Sequence, residues 1–164
     1  ESITKKKSPK SLNRLDSKKD NRLMIDIRIN DNKTLPPTVN FTSFCTQLAK
    51  ELNIDKEFIE INFVTQDVIL DINKQYLNHD YVTDIITFNL GTVEKIEGDI
   101  YICTERAKEN AIDWGCTFED ELKRLIIHGF LHLLDFTDYT DKEKEKMTIK
   151  ENELLEKLRK SECE

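Results

Sequence analysis

His128 and His132 stand four residues apart in the stretch HGFLHLLDFTD, residues 128–138. In a helix, residues at that spacing share one face, with Cβ atoms about 5–6 Å apart. Two imidazoles so placed can reach one ion at roughly 2.0–2.1 Å. The neighbouring residues are apolar, and an unpaired polar ring among them costs free energy that a shared ion removes. A third ligand cannot come from the same rod, because the ion lies off to one side. The chain must therefore break after His132 and fold back. Asp135 stands where that break would fall, and Asp tolerates the left-handed conformation better than most residues other than Gly. Asp138, six residues past His132, then reaches the open side of the ion. Asp141 is the weaker substitute, and Asp135 itself lies too close to the helix end. Two histidines and one carboxylate leave a coordination position for water, as catalytic rather than structural zinc sites do.

The same spacing marks a metallopeptidase helix, but there the residue after the first histidine is a Glu acting as general base. Here it is Gly129, which cannot accept a proton. Glu121, two turns upstream on the same face, is the candidate stand-in base; it serves equally well as a supporting charge near the helix start.

These side chains need a scaffold, and hydrophobic periodicity outlines one. Residues 23–30 (LMIDIRIN) and 58–64 (FIEINFV) alternate as half-buried strands do. Between them, Pro36 and Pro37 precede a helical pattern through Phe41, Phe44, Leu48 and Leu52. Thr65 is placed to cap a helix through Val68, Ile69, Ile72 and Tyr76. Residues 84–90 and 98–103 read as a hairpin around a Gly-containing turn. Thr104 is placed to cap a helix ending at Trp114, with Gly115 just beyond it. Thr117 and Asp120 start the histidine helix, and a charged helix over 141–159 closes the chain. Strand, helix, strand, helix, hairpin and three helices make an α+β or mixed α/β domain.

Charged residues form 35% of the chain and hydrophobic ones 38%. No run approaches the roughly 18 apolar residues of a membrane span, and no apolar leader begins the chain; a cytoplasmic protein is expected. Cys45, Cys103, Cys116 and Cys163 are scattered and read as reduced thiols. Residues 1–22 hold eight Lys or Arg against three acids, a local +5; with −7 for the whole chain the remainder carries −12. So acidic a body does not draw in a phosphate backbone by its net field. The basic segment reads as a disordered leader or tag, or as an RNA-touching arm, ahead of a folded domain over 23–164.

The histidine stretch resembles the signature HGxLHLxGYDH of the YbeY family, bacterial endoribonucleases of ribosomal-RNA maturation. His128, Gly129, Leu131, His132 and Leu133 match in place, as do Asn73, Tyr76, the block Thr83–Phe88 (the family's TDVLSF) and Gly98-Asp99-Ile100. The resemblance spans about 23–158. It departs at Asp138, where the family has its last His, at Asp135 for Gly, at Phe136 for Tyr, and at Leu77 for an Arg associated with RNA cleavage. Arg124, Lys74 or His79 are the cations that could stand in for that Arg.

The resemblance implies an α+β fold, a single domain with a central mixed sheet of about four strands surrounded by about five helices. It implies a zinc-dependent, single-strand-specific endoribonuclease serving small-subunit rRNA 3′-end maturation and ribosome quality control. Single-stranded rRNA, the small ribosomal subunit and its assembly proteins would be the partners. One Zn2+ would sit on His128, His132 and Asp138, with Glu121 as base and Asp84 orienting the site. A metallohydrolase of other substrates and a non-catalytic assembly factor with a structural metal are the rival readings.

Overall fold

The periodicities translate into elements nearly where the residues call for them. The computed structural model describes residues 2–4, 25–31, 33–54, 57–92 and 95–162. In chain order these form β1 (Ser2–Thr4), β2 (Asp26–Asn30), α1 (Phe41–Glu51), β3 (Phe58–Val64), α2 (Gln66–Ile72), β4 (Ile85–Asn89), β5 (Glu97–Cys103), α3 (Thr104–Trp114), α4 (Phe118–Leu133) and α5 (Asp141–Glu162). A π-helical turn over Asn73–Leu77 continues α2.

The sheet runs β1-β4-β5-β3-β2. Strands β2, β3 and β5 are parallel, β4 is antiparallel to β5, and β1 lies parallel to β4. The mixed α+β architecture is as expected. The fifth strand was not: Ser2–Thr4 pairs with Thr87–Asn89 along an edge that would otherwise leave β4's backbone groups open. The leader reading over 1–22 otherwise falls outside the described residues.

Strand alternation assigns the two faces. Ile59, Ile61 and Phe63 of β3, with Ile100 and Ile102 of β5, point toward α1, α4 and α5 and form the main core. Ile86, Phe88, Tyr101 and Cys103 point the other way, against Ile69 and Ile72 of α2. Lying between the sheet and α5, α4 is buried around most of its circumference, which explains its nearly continuous apolar sequence.

Two glycines set how closely α4 lies on the sheet. A Cβ at Gly129 would meet Ile100 Cδ1 at 2.8 Å, and one at Gly98 would meet Leu133 Cδ2 at 2.4 Å. Position 129 therefore faces the sheet, where any larger side chain collides.

Caps follow expectation in part. Gly115 ends α3 in the left-handed region at φ 65°, and Thr117 accepts a hydrogen bond from the Asp120 amide at 3.1 Å. Thr65 precedes α2 without a side-chain cap bond. Thr104 is inside α3 rather than capping it: Cys103 occupies the N-cap position, and the Thr104 hydroxyl donates to Glu105 at 3.3 Å. Cys45 and Cys103 are buried thiols, whereas Cys116 is exposed; Cys163 lies outside the described residues. No described helix is long and apolar enough to cross a membrane.

Candidate metal centre

The C-terminal end of α4 carries the site. After Leu133 the helix closes in a Schellman-type turn: the Asp135 amide bonds the His132 carbonyl at 3.1 Å, and the Phe136 amide bonds the Leu131 carbonyl at 3.0 Å. Such a turn needs a left-handed residue at its hinge, and Asp135 takes φ 63°. The turn reverses the chain and carries Asp138 back over the histidine face.

The return segment is then pinned. Thr140 and Glu143 form a reciprocal capping box at the start of α5: the Thr140 amide donates to the Glu143 carboxylate at 2.9 Å, and the Glu143 amide donates to the Thr140 hydroxyl at 3.2 Å. The Thr137 hydroxyl also donates to Glu143, at 2.8 Å. These bonds, the Thr140 amide first, hold the Glu143 carboxyl below its ordinary range. The residue before Asp138 is thereby tied to the helix that follows it.

His128 Nε2 and His132 Nε2 lie 2.9 Å apart. Asp138 Oδ2 stands 3.6 Å from the first and 3.7 Å from the second. The ring protons are accounted for elsewhere. His132 Nδ1 donates to the Phe136 carbonyl at 2.9 Å, and His128 Nδ1 donates to Glu151 of α5 at 2.5 Å. With both rings in the neutral, ligating form, the two Nε2 atoms present lone pairs to each other and to a carboxylate oxygen, an arrangement that a cation between them stabilises. A point equidistant from the three atoms lies about 2.0 Å from each, the bond length of divalent ions to such donors. Among the described residues, these three groups converge as a cluster able to hold a metal ion. The residues fit a divalent ion, and the negative end of the α4 dipole adds to that preference.

Burial pushes His132 down to about 4 from 6.5; the neighbouring imidazole adds to this and Asp138 opposes it. The neutral, ligating form of the ring is thus the one the fold favours.

Upstream on α4 the polar groups close on one another. Arg124 makes a two-pronged contact to Glu121, Nε at 2.9 Å and Nη2 at 2.7 Å, and its Nη1 reaches Glu151 at 3.2 Å. Asn110 of α3 donates to Glu121 at 3.1 Å and to Asp84, just before β4, at 2.9 Å. A continuous line runs Asp84, Asn110, Glu121, Arg124, Glu151, His128. Glu121 is 1% exposed and Glu151 3%. Four carboxylates, Asp84, Glu121, Glu151 and Asp138, stand along this line and at its end against the single guanidinium of Arg124.

The structure thus brings His128, His132 and Asp138 together. It sets Glu121 and Asp84 at a distance along the line, neither being among the converging groups. Asp141, the weaker substitute, opens α5 instead. Glu151 and Asn110 escaped sequence reading because no short spacing links them to the histidines; the Thr140-x-x-Glu143 box was legible in the residues and passed over.

Comparison with known proteins decides the family. The family profile described as Endoribonuclease YbeY matches residues 16–159. The chain belongs to the YbeY family. An Endoribonuclease YbeY from Flavobacterium psychrophilum is 46% identical over 106 residues, covering 63% of this chain and 76% of that protein. Another from Azobacteroides pseudotrichonymphae is 39% identical over 126 residues, covering 75% and 91%. The solution structure of a Thermotoga maritima protein is 30% identical, with a TM-score of 0.57, covering 82% of this chain and 89% of that one.

The departures noted at positions 77, 135, 136 and 138 now have physical readings. Asp138 supplies an oxygen where the family has a ring nitrogen. Asp135 does what the signature's Gly does in the turn. Phe136 contributes its carbonyl, which any residue has. Leu77 packs against the apolar cluster under α2. Of the three cations that could replace the Arg there, Arg124 is engaged by Glu121 and Glu151, Lys74 by Asp80 at 2.8 Å, and His79 by the Tyr81 hydroxyl at 3.1 Å.

Proposed function

We propose that this chain is a zinc-dependent, single-strand-specific endoribonuclease acting in the cytoplasm on small-subunit (16S) rRNA, in 3′-end maturation and ribosome quality control. The observation that carries this reading is the convergence of two imidazoles and one carboxylate in a YbeY-family chain. Two nitrogen donors and one oxygen suit zinc. An ion held there supplies Lewis acidity toward a phosphoryl oxygen and a lowered pKa to bound water.

The chain's own residues do the rest. His128 and His132 hold their lone pairs inward because Glu151 and the Phe136 carbonyl keep the Nδ1 protons outward. Asp138, with its side chain 30% exposed, leaves the site open on the side where a flexible single strand can approach. Gly129 supplies no base and faces Ile100, which argues against peptide hydrolysis by the usual helix Glu. Small-subunit rRNA and the assembly proteins of that subunit are the proposed partners.

The test pairs a single-stranded rRNA fragment with a protein substrate, before and after chelation and zinc return. RNA cleavage that needs zinc, with the protein substrate untouched, is the expected result. Cleavage that survives complete metal removal contradicts the reading. A second reading, a non-catalytic ribosome-assembly factor, is favoured by Leu77 together with the engagement of Arg124 by the buried Glu121 and Glu151. His132→Ala separates the two. Lost cleavage with retained small-subunit association supports the enzyme; a wild-type chain that associates and never cleaves supports the assembly factor.

A further inference from the structure

The two histidines are held differently. His132 gives its Nδ1 proton to a neutral backbone carbonyl in the adjoining turn. His128 gives its proton to a carboxylate, Glu151, twenty-three residues away on another helix, at 2.5 Å. A carboxylate on Nδ1–H makes the opposite nitrogen a stronger donor than a carbonyl does, and fixes both tautomer and ring plane.

Glu151 is itself held in place. It is 3% exposed, and Arg124 grips it at 3.2 Å while holding Glu121 through two nitrogens. A buried carboxylate facing one imidazole is unfavourable without further compensation; Arg124 supplies part of it. The guanidinium cannot leave Glu151 without also turning in the grip of Glu121, which Asn110 anchors from the other side at 3.1 Å. A cleft of about 380 Å³ between α3, α4 and α5 is lined by Glu121, Arg124 and Glu151, and of the three only Arg124 is partly exposed.

We propose that Glu151 is a positioning residue for the ligating imidazole of His128, and that Arg124 and Glu121 hold it in that role. Glu121 then serves the site through Arg124 and Glu151 rather than by taking a proton from substrate. The proposal rests on the reading that His128, His132 and Asp138 hold a divalent ion.

The experiment measures zinc affinity of the full chain by competition with a chromogenic chelator, for wild type, Glu151→Gln and Glu121→Gln. The amide at 151 keeps an acceptor oxygen and removes the charge. Zinc affinity should fall about 10–100-fold in Glu151→Gln, and by a smaller factor in Glu121→Gln. Both metal-free variants should show wild-type circular dichroism. Unchanged zinc affinity in a folded Glu151→Gln overturns the proposal and leaves the metal reading standing. A wild-type chain that binds no zinc overturns both.

Should Glu151→Gln fail to fold, nitrogen-15 spectra of the wild-type, zinc-loaded histidines decide the matter. A protonated Nδ1 on His128 with a strongly downfield, slowly exchanging proton is expected. Coordination of His128 through Nδ1 contradicts the proposal.

Discussion

The two ends of α4 use similar residues to opposite effect. At its N-terminal half, Glu121, Arg124 and the neighbouring Asn110 and Glu151 find partners in one another, donors meeting acceptors at 2.7–3.2 Å. At its C-terminal end, two ring nitrogens and a carboxylate oxygen converge within 2.9–3.7 Å of one another. In the first arrangement every contact joins a donor of the chain to an acceptor of the chain. The second is complete only with a cation. Polar groups along and against α4 thus fall into those bonded to one another and those that converge on a shared point, and Glu151 links the two sets through His128.

Breaking the complete end should cost the most stability. Glu121→Ala leaves a largely buried guanidinium short of a carboxylate and should lower the unfolding free energy by about 3 kcal/mol, read from urea denaturation of the metal-free protein. An effect below about 1 kcal/mol would mean that this end is not the structural one.

At the incomplete end the effect should depend on metal. Zinc at a hundred times its dissociation constant should stabilise the wild-type chain by about 2.7 kcal/mol and His132→Ala not at all, in the same denaturation series. Equal stabilisation of both would place the ion elsewhere.

Acidity sharpens the same contrast. His132 has a folded pKa of about 4 against 6.5 for the ordinary ring. Between those values the unfolded chain binds the proton and the folded one does not, so stability falls as pH drops from 6.5 toward 4 and levels off below. The metal-free protein should lose on the order of 2 kcal/mol across that window, and His132→Ala should lose measurably less. A flat profile over that range in the wild type contradicts the neutral, buried ring.

The smallest effect belongs to the return segment. Thr140→Ala removes a cap and should cost about 1 kcal/mol. Because Glu143 also holds Thr137 beside Asp138, the same change should weaken zinc binding several-fold. Loss of stability with intact zinc affinity would show that the loop holds Asp138 without the box. Glu143 itself is held below its ordinary pKa, so the box is intact above the usual carboxylate range and fails as pH falls through the lower folded value.

Much of the local chemistry was readable from the residues where cause and effect lie close along the chain, although the box of Thr140 and Glu143 was passed over and Thr104 proved not to be a cap. The alternation FIEINFV became β3 over the same seven residues. The histidine spacing and the break at Asp135 became a site because a helix turn and one left-handed residue are short-range matters. Most of what the residues did not reveal depends on pairing across the sequence. Glu151 looks like one more charge on a highly charged helix until α5 is laid against α4, and only then does its carboxylate meet His128. Ser2–Thr4 carries no strand periodicity of its own; its pairing comes from the open edge of β4. The absence of a base after His128 was legible, but its cause, Ile100 pressing on Gly129, required the sheet.

The most direct measurement is the metal content and zinc affinity of the purified chain beside Asp138→Ala. One zinc per wild-type chain, with binding lost from the variant, is the predicted result. An unchanged stoichiometry and affinity in Asp138→Ala would contradict the three-ligand site.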